Sequence, residues 1–234
     1  MQDLNTLTSQ YERDGVIRVY QLFTPRELAE VKQQITRYIY EVADNLPETD
    51  IVRESDGSSI RNLWRMEQHD PFFAKLTKHH RIINLVQRLL HNQPICLGIE
   101  TFNKPAQIGS AIPPHQDNAY FCQSPPDVLT VWIAMDPATP ENGPVTYYKS
   151  SHTCGMLPHK TSSVSGNSMG LAEPFEEGEP FIGTLNPGDA LIHHCQIVHE
   201  SQPNHSQQPR CGLLMVFRGA HTQTDPILHQ NYKS

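Results

Sequence analysis

The sequence changes character near residue 93, and this change constrains the fold more than any other feature. Before it, Leu28, Val31, Ile35 and Tyr38 recur at helical spacing after Thr24-Pro25, a pair that suits the start of a helix. After it, short apolar runs alternate with Pro, Gly, Asn and Asp, the pattern of short strands joined by turns. The sequence predicts one domain over 1–234, with a helical part over about 1–92 and a β core over about 93–220.

The predicted elements can be bounded from the same patterns. Helices are expected near 5–13, from 24 to before 45, near 70–77 and near 80–91, and GVIRVY at 15–20 predicts an early strand. Residues 47–63 are polar and predicted to be a loop, and 151–179 a long loop that is a candidate lid. Strands of the second part are predicted at ICLGIETFNK, DVLTVWIAM, PVTYYK, FIGTLN, GDALIHH and CGLLMVFRG. Many short strands indicate a sandwich or barrel, with a jelly roll among the candidates.

Charge and cysteine usage exclude several classes of partner. The formal net charge is -7 and the basic residues are scattered, which disfavours nucleic acid and anionic membrane surfaces. Five cysteines without a CxxC pair suit a reducing compartment. The N-terminus has no apolar signal region, and no apolar run reaches the roughly 20 residues that span a bilayer. A cytoplasmic location is therefore expected, while the oligomeric state is not indicated.

The segment PPHQDNAY, residues 113–120, contains a histidine and a carboxylate at a spacing that suits a metal. His115 and Asp117 are two residues apart, and in extended backbone such residues point to the same face. A non-haem iron site needs two histidines and one carboxylate on one face of the ion, with the other face open. The pair alone favours a solvated loop after two prolines over a metal site, so a metal site requires a second histidine.

The segment 188–210 offers that histidine and an arginine. His199 follows a strand-like run, and Arg210 opens the apolar run CGLLMVF, where a guanidinium is costly unless it meets an anion. Its planar fork suits a carboxylate ligand, although an ion pair with a protein carboxylate at the rim is the alternative. His193 and His194 are adjacent, so on a strand they face opposite sides and cannot both bind one ion.

A resemblance to the phytanoyl-CoA dioxygenase family is carried by the ordered segments HQDNAY, VWIAMDPATPENGPV, SSH, NPGDALIHH and HESQPNHS, followed by Arg210. The early segment YERDGVIRVYQLFTPRELAEV is also similar to that family, so the resemblance covers about residues 10–220. It implies a mainly β chain with flanking helices, folded as a double-stranded β-helix (a cupin-like jelly roll). It also implies a dioxygenase that uses Fe(II), 2-oxoglutarate and O2.

The resemblance implies a role for individual residues. His115, Asp117 and His199 match the iron ligands, and Arg210 matches the arginine that binds the far carboxylate of 2-oxoglutarate. Because Asp117 is retained, the chain does not resemble a halogenase. Further contacts to the co-substrate are expected at Trp132, Ser201 and Asn103, with Lys104 beside it.

The substrate is expected to be a small-molecule metabolite that is hydroxylated or otherwise oxidised, with release of succinate and CO2. Family position suggests that the substrate pocket includes Arg61, Asn62, Trp64, Tyr120 and Phe121. Two alternatives stay open: a cupin-like metalloenzyme that does not use 2-oxoglutarate, and a non-catalytic binding module on the same barrel. The sequence indicates neither the substrate's identity nor whether oxidation ends in hydroxylation, desaturation or cyclisation.

Overall fold

The computed structural model describes residues 2–164 and 166–233. Its helices, α1 to α7, are Leu4–Asp14, Pro25–Glu41, Met66–His69, Pro71–Leu76, His80–Leu90, Asn118–Phe121 and Pro226–Lys233. Its strands, β1 to β15, are Val16–Val19, Ile51–Arg53, Ile60–Leu63, Pro94–Lys104, Ile112–His115, Gln123–Ser124, Val128–Ala134, Val145–Tyr148, His159–Val164, Asn167–Leu171, Pro180–Ile182, Ala190–His194, His199–Ser201, Arg210–Gly219 and Gln223–Thr224. Single 3-10 turns lie at Ala43–Asn45, Glu48–Asp50, Pro140–Asn142 and Ser151–Cys154.

Helix α2 begins where the sequence predicts. The Thr24 hydroxyl accepts a hydrogen bond from the Glu27 amide at 3.3 Å, and the Glu27 carboxylate accepts one from the Thr24 amide at 2.8 Å. This reciprocal pair satisfies two backbone donors that have no partner within the helix. The helix then buries Val31, Ile35 and Tyr38.

Two antiparallel sheets form the β core. The larger has the strand order β1-β12-β7-β14-β4-β3-β2, and the smaller has the order β11-β8-β13-β5. Along the chain, β4, β7, β12 and β14 belong to the larger sheet, while β5, β8, β11 and β13 belong to the smaller. The chain therefore passes back and forth between two sheets, which confirms the predicted double-stranded β-helix.

The central strand β7 explains how the layers are held together. Its sequence, VLTVWIA, shows no polar alternation because both of its faces are covered. Leu129, Val131 and Ile133 pack in the core between the larger sheet and the helices. Trp132 and Ala134 point the other way, into the core between the two sheets.

Two predicted loops contain strands, so those predictions were wrong. Within 47–63, β2 and β3 form a hairpin that extends the larger sheet next to β4. Within 151–179, β9 and β10 form a separate hairpin; residue 165 lies outside the described residues. Both hairpins are short and rich in polar residues, which hides the apolar alternation that identifies a strand.

In the described part of the chain, no helix combines the length and the apolar character that a membrane crossing needs. The cytoplasmic location and the single-domain organisation stay predictions.

The capping box of α2 gives a test of local stability. Replacing Thr24 with Ala should lower the free energy of unfolding by about 1 kcal/mol, because the Glu27 amide loses its acceptor. Thr36 lies in the exposed interior of the same helix, so Thr36→Ala should cause no loss. Urea denaturation of both variants measures the difference, and equal stabilities would contradict the capping role.

Candidate metal centre

The pairing of strands in the smaller sheet brings two histidines together. His199 on β13 lies directly opposite His115 on β5, and on its other side it lies opposite Tyr147 on β8. The two imidazole centroids are 4.2 Å apart, and the Tyr147 ring stacks on His199 at 5.5 Å. The sheet register alone therefore places two nitrogen ligands side by side.

Backbone carbonyls orient both imidazoles. The Nδ1 of His115 lies 2.9 Å from the Pro113 carbonyl oxygen, and the Nδ1 of His199 lies 3.1 Å from the Ile197 carbonyl oxygen. Since a carbonyl only accepts, each Nδ1 carries the proton and each Nε2 presents a lone pair. A metal-binding histidine typically has this arrangement.

Asp117 reaches the same point, but not through extended backbone as predicted. Strand β5 ends at His115, and Asp117 has helical dihedrals, φ -58° and ψ -31°, at the start of α6. This turn brings its Oδ1 to 3.6 Å from the Nε2 of His115 and 3.5 Å from the Nε2 of His199. The ligand atoms of the three residues all lie within 4.8 Å of one another.

The second oxygen of Asp117 contacts Thr130, which the sequence analysis missed, and His193, one of the two adjacent histidines that it named. Its Oδ2 accepts a hydrogen bond from the Thr130 hydroxyl at 3.0 Å and lies 3.1 Å from the Nε2 of His193. The Nδ1 of His193 in turn lies 3.1 Å from the Tyr147 hydroxyl. Thr130 sits two residues before Trp132 on β7, so strand alternation from a cavity residue would have identified it.

The protonation states suit a divalent metal. Burial, followed by the neighbouring His115, lowers the pKa of His199 to about 3, so this imidazole is neutral at neutral pH. Burial raises the pKa of Asp117, but the three surrounding histidines outweigh it and hold the pKa well below its ordinary value. Two imidazoles and one carboxylate, leaving one side open to a cavity, are the ligand set of non-haem Fe(II) sites.

Arg210 supplies a buried positive charge in the same cavity. Burial lowers its pKa to about 10, so the guanidinium stays charged at neutral pH. Its Nη1 donates to the Gly143 carbonyl at 3.0 Å, while its Nε is buried without a partner among the described residues. The alternative of a rim ion pair with a protein carboxylate is not formed in that part of the chain. An anion from outside the protein would satisfy the unpaired donor.

Trp132 and Ser201, which were also predicted to contact the co-substrate, line the same cavity as the Arg210 guanidinium. The Arg210 guanidinium lies 5.1 Å from the centroid of the Trp132 ring, and both residues line the cavity with Ser201. Gly143 has φ 70°, and a side chain there would collide with the Gln202 carbonyl. The turn that presents the Gly143 carbonyl to Arg210 therefore requires glycine.

Comparison with known proteins follows this geometry. The profile of the family described as phytanoyl-CoA dioxygenase (PhyH) matches residues 11–212. The chain belongs to the phytanoyl-CoA dioxygenase family.

The relatives of this chain differ in how much of their own length aligns with it. A Bos taurus phytanoyl-CoA dioxygenase domain-containing protein 1 is 31% identical over 147 residues, which cover 60% of this chain but only 50% of that protein. The chain therefore spans about half the length of such relatives. An L-proline trans-4-hydroxylase from Streptomyces griseoviridis is 25% identical and covers 93% of this chain and 88% of its own length.

Solved structures show the same fold. The non-heme alpha ketoglutarate dependent epimerase SnoN, from nogalamycin biosynthesis, matches with a TM-score of 0.77 at 23% identity, over 95% of this chain and 85% of its own. EctD from S. alaskensis matches with a TM-score of 0.77 at 20% identity, over 91% of this chain and 75% of its own.

Asn103 and Lys104, which were predicted near the co-substrate, do not line the cavity. Asn103 was predicted to contact the co-substrate, but it alternates with Phe102 and Lys104 on β4 and faces away, donating to the Ile60 carbonyl at 2.9 Å. Lys104 points inward, yet its ammonium donates to the carbonyls of Ser110 and Gln202. Strand alternation explains why Asn103 faces away from the cavity.

Arg61 was predicted to contact the substrate, but its side chain does not line the cavity. Its side chain is buried behind the cavity wall, with Nη1 3.9 Å from Glu54 and the guanidinium 5.6 Å from the Phe102 ring centroid. The other predicted substrate residues, Asn62, Trp64, Tyr120 and Phe121, do line the cavity.

The cavity in front of the iron ligands has a volume of about 530 Å³. Glu100 and Arg65 also line it, and the sequence analysis missed both. Burial, together with the negative charges of Asp117 and Glu67, raises the pKa of Glu100 to about 8, against a smaller opposing effect of Arg65. A space of this size is typical of a site for a small molecule.

The support behind Asp117 predicts a measurable effect on metal affinity. Thr130→Val keeps the shape of the side chain but removes the hydrogen bond to Oδ2, so Fe(II) affinity should fall by about 10- to 100-fold. Thr161→Val, on the exposed hairpin strand β9, is the matched control. Anaerobic calorimetric titration with Fe(II) measures both, and equal affinities would exclude this role for Thr130.

The raised pKa of Glu100 predicts how stability changes with pH. Between its ordinary value of 4.5 and about 8, the unfolded chain loses the proton that the folded protein keeps. Unfolding then releases a proton, so the Glu100 contribution to stability falls as pH rises through this window. In the metal-free protein, Glu100→Gln should remove that part of the decline, whereas Glu30→Gln on the exposed face of α2 should not. Thermal melting from pH 5 to pH 9 tests this, and parallel profiles would contradict it.

Proposed function

We propose that the protein is an Fe(II)- and 2-oxoglutarate-dependent oxygenase that hydroxylates a small-molecule metabolite. The overall change is substrate, 2-oxoglutarate and O2 to hydroxylated substrate, succinate and CO2. When bound, the iron with 2-oxoglutarate and O2 supplies an oxidant able to remove hydrogen from an unactivated carbon. The protein's own residues hold, orient and shield these reactants.

One observation carries the proposal: a buried guanidinium with an unpaired Nε faces the same cavity as two histidines and a carboxylate. The triad alone would serve a cupin-like enzyme without 2-oxoglutarate. A buried arginine, tethered through one nitrogen to Gly143 and stacked on Trp132, adds a fixed site for a carboxylate. A metal-binding diacid such as 2-oxoglutarate satisfies the triad and Arg210 together.

The proposed roles of the individual residues follow from their contacts. His115, Asp117 and His199 would hold the iron, with Thr130 and His193 keeping the second oxygen of Asp117 occupied. Arg210, flanked by Trp132 and Ser201, would bind the far carboxylate of 2-oxoglutarate. Asn62, Trp64, Tyr120 and Phe121 would contact the substrate.

The size of the cavity supports a compact substrate. Its volume of about 530 Å³ suits a metabolite of modest size, and phosphorylated carriers would need basic residues in it. Apart from Arg210, the basic cavity-lining side chain in the described part of the chain is Arg65, which is paired with Asp50. The L-proline trans-4-hydroxylase among the relatives is consistent with this size class.

Arg210 provides the test that separates this proposal from its rivals. Anaerobic addition of 2-oxoglutarate to the Fe(II) protein should produce a charge-transfer absorption band in the visible range, and His115→Ala should abolish it. Arg210→Lys keeps the charge but loses the planar fork, so the 2-oxoglutarate concentration for half-saturation should rise by about tenfold or more. Arg218→Lys, at the far end of the same strand, should leave it unchanged.

The possible results are distinct. A band in the wild type that Arg210→Lys does not affect would favour a different carboxylate site. Iron binding without any band would favour a cupin-like metalloenzyme that does not use 2-oxoglutarate. Absence of iron binding would favour a non-catalytic module.

A further inference from the structure

The cavity contains a carboxylate that the iron site does not use. Glu100 lies on β4, opposite Leu214 of β14, on the face of the larger sheet that also carries Phe102 and Trp132 toward the cavity. Among the described residues, none donates a hydrogen bond to its carboxylate or forms an ion pair with it. A carboxylate in this position is costly unless a ligand supplies the positive charge.

A second acceptor without a donor lies beside it. Asn62 on β3 is fully buried, lines the same cavity and pairs in register with Phe102, two residues from Glu100. Its Nδ2 donates to the Thr101 carbonyl at 3.4 Å, while its Oδ1 is buried and has no partner among the described residues. Residues diagonal to one another on adjacent strands are about 7–8 Å apart, so one small group can touch both side chains.

The charged neighbours of Glu100 do not neutralise it. Arg65 faces it from the start of α3, but that guanidinium is in an ion pair with Asp50 and also donates to the Thr49 carbonyl. Glu67 on α3 accepts from the Ile99 amide, and Asp117 at the start of α6 is negative as well. Two carboxylates and one guanidinium that is already paired therefore surround Glu100, so a positively charged ligand is favoured beside it.

We propose that the substrate carries a protonated amine, which Glu100 and Asn62 bind. An ammonium group has several N–H donors and no acceptor, so it matches one carboxylate and one amide oxygen that both lack donors. A hydroxyl or a neutral apolar group would leave Glu100 uncompensated. Trp64, in the same cavity, adds an aromatic surface of the kind that attracts cations.

This inference rests on the proposed function, and it assigns Glu100 and Asn62 as the residues that select the substrate class. The cationic end is bound roughly 13 Å from Arg210, because Leu214, the partner of Glu100, is four residues from Arg210 along β14. Substrate and 2-oxoglutarate thus use separate charged groups of opposite sign.

The experiment uses compounds that differ in a single group. L-leucine, L-ornithine and cyclohexylamine are each compared with the analogue in which hydroxyl replaces the amine. Each compound is added to the Fe(II) and 2-oxoglutarate-loaded protein at pH 7.5. Anaerobic perturbation of the charge-transfer band reports binding, and succinate release in air reports turnover. Wild type, Glu100→Gln, Asn62→Leu and the control Glu30→Gln are compared.

At least one amine should perturb the band and stimulate succinate release, and its hydroxyl analogue should do neither at the same concentration. Glu100→Gln should raise the half-saturating amine concentration by about 30-fold or more, because it removes one partner of a buried charge pair. Asn62→Leu should raise it less, and Glu30→Gln should not change it.

The inference is overturned if hydroxyl analogues act as well as amines, if no amine acts, or if Glu100→Gln binds the active amine like the wild type. The band formed by 2-oxoglutarate alone must persist in Glu100→Gln, which shows that the variant is folded and loaded. If that band is missing from the wild type as well, the proposed function fails rather than the assignment of the amine site.

Discussion

The direct opposition of His199 and His115 across two strands is the constraint on which the site depends. Their register places the imidazoles 4.2 Å apart at the centroids, and backbone carbonyls two residues earlier orient each ring. A slip of one residue would turn either imidazole to the other face of the sheet. The larger sheet, covered by helices on its outer face, packs against this smaller sheet with its inner face.

The iron ligands and Arg210 were predicted from the order of several segments that resembles the phytanoyl-CoA dioxygenase family, because the His115–Asp117 pair alone also suits a solvated loop and Arg210 alone also suits a rim ion pair. The contacts of Thr130 and His193 with Asp117 were not predicted, because these residues meet only after β7, β12 and α6 are packed together. The helical turn at Asp117 could not be predicted either, because the two-residue spacing of His115 and Asp117 is compatible with both extended and helical backbone.

The errors around the cavity have a common physical origin. The short strand β3 (IRNL) carries polar residues on both of its faces, so it reads as a loop although it is paired on both sides. On β4, successive side chains point to opposite faces of the sheet, so the prediction must know which residue faces the cavity. Asn103 is one residue from Phe102 and from Lys104, and therefore points the opposite way. Arg61 and Asn62 show the same dependence: the second lines the cavity and the first lies behind its wall.

The positions of Arg210 and Glu100 would allow one cavity to bind two small polar molecules at separate places. Arg210 is a buried cation whose Nε has no partner among the described residues and favours a carboxylate, and Glu100, four residue steps away along the sheet, is a half-buried carboxyl group that favours a cation. A diacid bound in the reverse sense would bring a carboxylate toward Glu100, and an amine near Arg210 would meet like charge. Repulsion at the wrong end contributes to specificity as much as attraction at the right one. The three candidate iron ligands lie in the same cavity as Arg210 and Glu100, so in the proposed enzyme each reactant would be bound by a group that disfavours the other.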